Sequence, residues 1–235
     1  ATSRTVDSKA RRKVITASFI GNFVEWFDYA AYGYLAVTIA AVFFPSDDPQ
    51  AGLLMTFGVF ALSFLVRPIG GFIWGHLGDK IGRREALSWS ILLMTGATFC
   101  IALLPGYASI GFGAPLLLLA LRLVQGFSAA GEYAGASAFL VEYAPANRRG
   151  LYAAVVPAST ATGLLFGSLM AAGLTGLLST EDLETWGWRI PFLLAAPLGL
   201  IGRYIRTKLE DSPAFVEASE SGAPESSPVG SLLKN

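Results

Sequence analysis

Gly75-His76-Leu77-Gly78-Asp79-Lys80-Ile81-Gly82-Arg83-Arg84 is the stretch on which the reading of this chain turns. It sets an acid, glycines and three bases between two long apolar runs. Glycines and charges there predict a tight connection where the chain meets water. The excess of bases predicts which side of a membrane that water lies on.

Composition supports a membrane setting. Hydrophobic residues make up 53% of the chain and charged residues only 14%, against about 25% charged in a soluble domain. The 17 bases and 17 acids cancel, so no net field recruits nucleic acid or an acidic partner. Cys100 and His76 are each the only residue of their kind. That leaves no disulfide framework and no His/Cys metal site, and no nucleophile–base arrangement of an enzyme is seen along the chain.

A bilayer core of about 30 Å needs roughly 20 apolar residues per helix. Runs over Val14–Phe44, Gly52–Trp74, Ala86–Leu104, Leu116–Tyr143, Leu151–Leu178 and Trp188–Ile205 qualify. They predict an all-α membrane protein with six transmembrane helices. Residues 1–13 form an N-terminal segment, 14–206 the six-helix unit, and 207–235 a linker rich in Ser, Glu, Pro and Gly. The first run is too long for a signal peptide. The missing initiator Met and the abrupt stop at Ser231–Asn235 are expected of a piece of a longer protein.

The connections alternate in charge. Arg4, Lys9, Arg11, Arg12 and Lys13 precede the first run; Lys80, Arg83 and Arg84 follow the second. Arg148 and Arg149 follow the fourth, and the sixth exits through Arg203, Arg206 and Lys208. The first and fifth connections hold only acids (Asp47 and Asp48, then Glu181, Asp182 and Glu184), and the third holds no charge. Bases collect on the cytoplasmic side, which places both ends of the chain there. Gly71/Gly75, Gly131/Gly135 and Gly163/Gly167 have the spacing of close helix packing.

Several charges fall within the runs, where each costs about 2.5–3.5 kcal/mol on insertion scales. Glu25, Asp28, Tyr29 and Tyr32 share one helical face, and Arg122, Gln125, Ala129 and Glu132 share another. At about 1.5 Å per residue, Asp28 lies about 21 Å from the basic side and Arg122 roughly 20 Å from it. The two are therefore predicted to pair across a cavity. Arg122 stands about 15 Å from Glu132 along their helix, too far to pair with it. Glu25 has a second reading, as a partner of Arg67 just before Pro68. Glu132 has no base near it on its own helix, and Glu142 lies near Arg148 and Arg149. An acid beside a fixed guanidinium binds a proton differently in a wet and in a closed cavity. Asp28, Arg122, Glu132 and Glu25 are thus the candidates for proton coupling.

The opening stretch resembles a loop found between the second and third helices of the major facilitator superfamily of secondary transporters. That pattern, Gly-x-Leu-x-Asp-(Arg or Lys)-x-Gly-Arg-(Arg or Lys), is met at every fixed position. Arg122-Leu123-Val124-Gln125-Gly126 resembles the superfamily's Arg-x-x-Gln-Gly element, linked there to proton coupling. Several further stretches resemble the metabolite:proton symporter family within that superfamily. These are Gly21-Asn22-Phe23-Val24-Glu25-Trp26-Phe27-Asp28-Tyr29, Gly131-Glu132-Tyr133, Glu142-Tyr143-Ala144-Pro145 with Arg148-Arg149-Gly150, Trp186 to Phe192, and Leu209 to Phe215.

The resemblance implies half of a twelve-helix fold, built as two inverted three-helix repeats, whose partner is a C-terminal six-helix half. It implies a multi-pass plasma-membrane protein of bacterial type that imports a small organic solute. The proton is the coupling ion, and no cofactor is implied. The antiporter pattern Gly-x-x-x-Gly-Pro-x-x-Gly-Gly is missing from the fifth run, which favours symport. Gly75, Asp79, Gly82, Arg83 and Arg84 would form a cytoplasmic latch, with Asp79 at a helix N-terminus of the other half. Arg67 and Gln125 would line the substrate cavity with Trp26, Tyr29, Tyr32 and Tyr133. Arginines suit a carboxylate, and an aromatic cage suits a quaternary ammonium such as betaine. The competing class is a non-transporting membrane sensor or a half-length protein that dimerises.

Overall fold

Apolar runs of this length become helices because hydrocarbon offers backbone groups no partner outside the segment. The computed structural model describes residues 8–208, and helices account for almost all of that stretch, with no strand among the described residues. In order they are α1 (Ser8–Tyr34), α2 (Ala36–Phe43), α3 (Pro49–Leu65), α4 (Arg67–Ile81), α5 (Arg83–Leu103), α6 (Tyr107–Ile110), α7 (Gly113–Tyr143), α8 (Arg149–Ala153), α9 (Val155–Leu177), α10 (Thr180–Thr185) and α11 (Ile190–Thr207). The linker expected over 207–235 and the Leu209–Phe215 element lie outside the described residues, apart from Thr207 and Lys208.

The expected runs map onto these helices with four differences. The first span is helical from the first described residue, Ser8, and is not straight: α1 and α2 meet at a bend of 70° around Leu35, one residue past Tyr34. Gly33 precedes the bend and gives the last turn of α1 little side-chain support. The second span is α3 and α4 in succession, broken at Val66 where Pro68 withholds a donor. In the fifth, α8 and α9 meet at Ala154. The sixth, α11, has the length of a span but carries Arg203 and Arg206. By length and composition four helical stretches among the described residues can cross a membrane, or five with the bent first span.

The largest difference lies in the opening stretch. It is helix, not loop: α4 runs on through Gly75 and Asp79 to Ile81, and α5 starts at Arg83. Only Gly82 interrupts them, at φ 94°, a backbone that an L side chain adopts with strain. A single glycine therefore reverses the chain, and Asp79 sits in the last turn of a helix.

Packing follows the inverted-repeat plan. The heaviest contacts join α1 to α9, α7 to α3 and α4, α5 to α11, α5 to α7, and α1 to α11. Exchange the first three spans for the last three and this pattern maps onto itself. First-on-fifth becomes fourth-on-second, first-on-sixth becomes fourth-on-third, and third-on-sixth is unchanged.

Small residues set these crossings. A Cβ on Gly163 would lie 2.7 Å from the Phe23 carbonyl oxygen, and one on Gly167 would lie 2.6 Å from the Ala30 Cβ. Gly70 and Gly126 bring α4 and α3 onto α7 in the same way, against the carbonyls of Phe127 and Ser63. Gly71 and Gly75 depart from the packing expectation, because a Cβ on either would meet nothing within 4 Å. Apolar clusters then fill the interior: Tyr32, Phe43, Trp188 and Phe192 near the bend, Val24, Phe27, Met94 and Ala195 in the middle, and Val14, Leu87, Phe139 and Tyr143 toward the basic end.

Gly167→Leu should force α1 and α9 apart, at a cost of about 1–3 kcal/mol for an overpacked contact. Gly173→Leu, which faces open space, should be neutral. Thermal unfolding of the intact protein in detergent checks both, and equal midpoints for the two variants would contradict this packing.

Candidate functional site

A charge inside such a bundle persists only if another group answers it, and three buried carboxylates here are each answered by an arginine from another span. The central pair lies between α1 and α7. Arg122 Nη1 donates to Asp28 Oδ2 at 2.6 Å, and both side chains are buried. The predicted pairing of these two residues is therefore present in the structure. Gln125, one turn along α7, donates to Asp28 Oδ1 at 3.3 Å and to Thr98 Oγ1 on α5 at 2.7 Å. Both Asp28 oxygens are thus engaged.

Arg122 is engaged on one edge only. Its Nε and Nη2 are buried without a hydrogen-bond partner. Its guanidinium lies 3.8 Å from the Tyr32 ring centroid and 5.5 Å from that of Phe192. Ring faces stabilise a cation but satisfy no N–H direction. Tyr32, expected to line the cavity, is instead fully buried beneath Arg122, and its hydroxyl donates to the Thr56 carbonyl at 3.0 Å. Gln125 is buried as well. Both belong to the setting of the ion pair and not to an open wall.

The second pair lies between α1 and the start of α4. Arg67 Nη2 donates to Glu25 Oε1 at 2.5 Å and to the Tyr29 hydroxyl at 2.6 Å. Of the two readings for Glu25, the structure realises the pair with Arg67. The guanidinium also lies 4.5 Å from the Phe64 centroid and 5.1 Å from that of Tyr29. Arg67 reaches this depth because it opens α4 at the break in the second span. Beside it is an open groove of about 400 Å³ lined by Trp26, Tyr29, Ala30, Gly33, Tyr34, Phe60, Phe64 and Leu164. Trp26 and Tyr29 line the wall that the sequence predicts for them, whereas Phe60 and Phe64 join it without a sequence signal, because phenylalanines in an apolar run are not distinguished from their neighbours. Tyr133 is exposed and lies outside this groove.

The third pair corrects the reading of Glu132. Its partner is Arg206, expected as a topology charge at the exit of the sixth span. Arg206 is buried and engages both Glu132 oxygens, Nη1 donating to Oε2 at 2.8 Å and Nη2 to Oε1. The same guanidinium donates to the Leu87 carbonyl at 2.9 Å and the Ala17 carbonyl at 3.4 Å. It thereby ties α11 to α1, α5 and α7. Gly21 leaves room for the pair, since a Cβ there would strike both side chains. No spacing within one helix predicts a partner 74 residues away.

Glu142 is likewise answered by an unexpected residue. Arg83 Nε lies 3.2 Å from its Oε1, so the latch arginine takes the place expected of Arg148 and Arg149. Arg84 bonds Glu85 at 2.6 Å. Asp79 is exposed and faces a groove of about 390 Å³ whose walls include Gly71, Gly75, Gly131 and Gly135. The glycines with open space around them are therefore groove wall.

Helices packed as inverted repeats around buried ion pairs define the class as all-helical membrane proteins. The family model for sugar (and other) transporters matches residues 13–226, and the chain belongs to that family. It is 44% identical over 210 residues to the proline/betaine transporter of Salmonella typhimurium, covering 89% of this chain and 42% of that protein. The glycine betaine/proline/ectoine/pipecolic acid transporter OusA of Dickeya dadantii is also 44% identical, with the same coverage. The chain thus spans less than half the length of these curated relatives. Among solved structures, the partially occluded inward-open xylose transporter XylE of E. coli superposes with a TM-score of 0.78 at 18% identity, covering 90% of this chain and 51% of that one. A crystal structure of a D-xylose-proton symporter gives 0.76 at 17% identity, covering 95% and 52%. These structures define the fold as half of a major facilitator unit. The relatives are transporters of small solutes and not enzymes, and the chain is a multi-pass membrane protein.

Arg206→Gln should strand Glu132 in the interior and destabilise the bundle by about 3–5 kcal/mol. Adding Glu132→Gln should restore most of the loss. Unfolding midpoints of the single and double variants test this, and a double variant no better than the single one would contradict it.

Proposed function

We propose that the chain is the N-terminal half of a proton-coupled symporter that imports a small zwitterion of the proline or betaine kind by alternating access. The observation that carries this reading is the Asp28–Arg122 pair, buried at mid-span with two guanidinium nitrogens, Nε and Nη2, unanswered. While Asp28 is ionised it holds one edge of Arg122. Protonation removes that charge, and the guanidinium then favours another anion, which a zwitterion supplies in its carboxylate. Proton and solute thus favour the same state of the site, which is the reciprocal coupling a symporter needs.

The groove beside Arg67 supplies the complementary half of solute recognition. The rings of Trp26 and Phe60 offer faces to a quaternary ammonium, and Trp26 Nε1 is buried without an acceptor. The names of the relatives support the same solute class. The charge alternation supports cytoplasmic ends in a bacterial inner membrane. Asp79, at its glycine-walled groove, would serve as the latch toward a helix of the other half. Glu132 is assigned to anchoring Arg206 and Glu25 to anchoring Arg67, which leaves Asp28 as the proton carrier.

Asp28→Asn in the intact protein should abolish accumulation driven by an imposed pH gradient while solute exchange between equal pools persists. Labelled betaine in membrane vesicles reads both, and gradient-driven accumulation equal to wild type would overturn the reading. Trp26→Ala should raise the KM for betaine roughly tenfold, the loss of a desolvated cation–π contact, and that for proline less. Competition assays measure the ratio, and a parallel rise for both solutes would remove Trp26 from ammonium recognition.

A further inference from the structure

One cluster of bases takes no part in the ion pairs described above. The basic end of α1 and the C-terminal end of α11 flank an open pocket of about 620 Å³ lined by Arg12, Lys13, Thr16, Tyr204, Ile205 and Lys208. Arg67, Arg83, Arg84, Arg122 and Arg206 each lie against a carboxylate. Arg12, Lys13 and Lys208 form no ion pair with a described residue and are exposed. The Lys208 ammonium stands 5.7 Å from the Tyr204 ring centroid. Three cations around one concavity repel each other, so the pocket gains from an anion in it.

Its walls indicate which kind of anion. Arg12 and Thr16 lie one turn apart on α1, as Tyr204 and Lys208 do at the end of α11, so on each helix the base is at the rim and an uncharged side chain lies one turn further in. The stripe of α11 then continues away from the rim through Leu200 and Leu193, which are 53% and 40% exposed. Bases at the mouth, a tyrosine beneath them and an apolar track leading inward match an amphiphile with an anionic head. Aromatic rings and basic ends of this kind collect at the membrane–water boundary, and basic pockets between spans take anionic lipid headgroups.

We propose that this pocket binds the headgroup of an anionic phospholipid. Arg12, Lys13 and Lys208 hold the phosphate, Tyr204 sits at the level of the glycerol, and an acyl chain lies along Leu200 and Leu193. A free phosphate ion would use the bases and leave the apolar track uncovered. The assignment is independent of what the protein transports.

The test is lipid retention by the purified intact protein. Detergent-solubilised protein is loaded with phosphatidylglycerol or phosphatidylcholine, washed, and the bound lipid measured by mass spectrometry. Wild type should retain phosphatidylglycerol and not phosphatidylcholine. Arg12→Gln, Lys13→Gln and Lys208→Gln should each weaken retention about fivefold, since a base near an anionic surface is worth about a fivefold change in affinity. Arg12→Lys should bind as wild type, which separates lost charge from lost folding. Equal retention of the two lipids, unchanged retention in all three neutral variants, or displacement of the lipid by millimolar inorganic phosphate would each overturn the proposal.

Discussion

The structure depends on one constraint: in an apolar medium every buried charge must find its counter-charge inside the bundle. Asp28, Glu25 and Glu132 all project from the inner faces of α1 and α7, and each is matched by an arginine from another span. These matches fix how the helices face one another more tightly than apolar packing does, because lipid tails compete for apolar contacts on equal terms. Small residues then permit the approach that the ion pairs require. The Glu132–Arg206 pair, for example, fits only because position 21 is glycine.

The three pairs differ in how completely they are satisfied, and the proposed function takes that difference as the line between anchor and working site. Glu132 and Arg206 form a two-bonded pair whose remaining donors reach backbone carbonyls. Such a network gains little from rearranging. Arg122 has one edge on Asp28 and the rest against ring faces, so it can exchange its carboxylate partner at small loss. Arg67 is intermediate: it is paired with Glu25, its Nε is buried without a partner, and it lies beside an open groove.

Much of this was legible in the chain because two of its signals are local. Run length and charge alternation report the spans, since a bilayer imposes a fixed thickness. Helical periodicity placed Asp28 and Arg122 on inward stripes, and rise per residue put them at one depth, which is where they meet. Glu132 and Glu142 were not legible in this way. Arg206 and Arg83 lie near the ends of their runs, where a base reads as a topology charge, and only packing turns them inward.

The sequence by itself determined the helices, the inward stripes and the family, because length, periodicity and motif are properties of short stretches. The tertiary structure decided the rest. Contacts between spans, invisible to any single stretch, chose the partners of Glu25, Glu132 and Glu142, placed Tyr32 beneath Arg122 and moved Phe60 and Phe64 to the groove wall. The opening stretch shows the division most plainly. Its glycines and charges predicted a turn, and the fold confined that turn to Gly82, the one residue there that takes a positive φ.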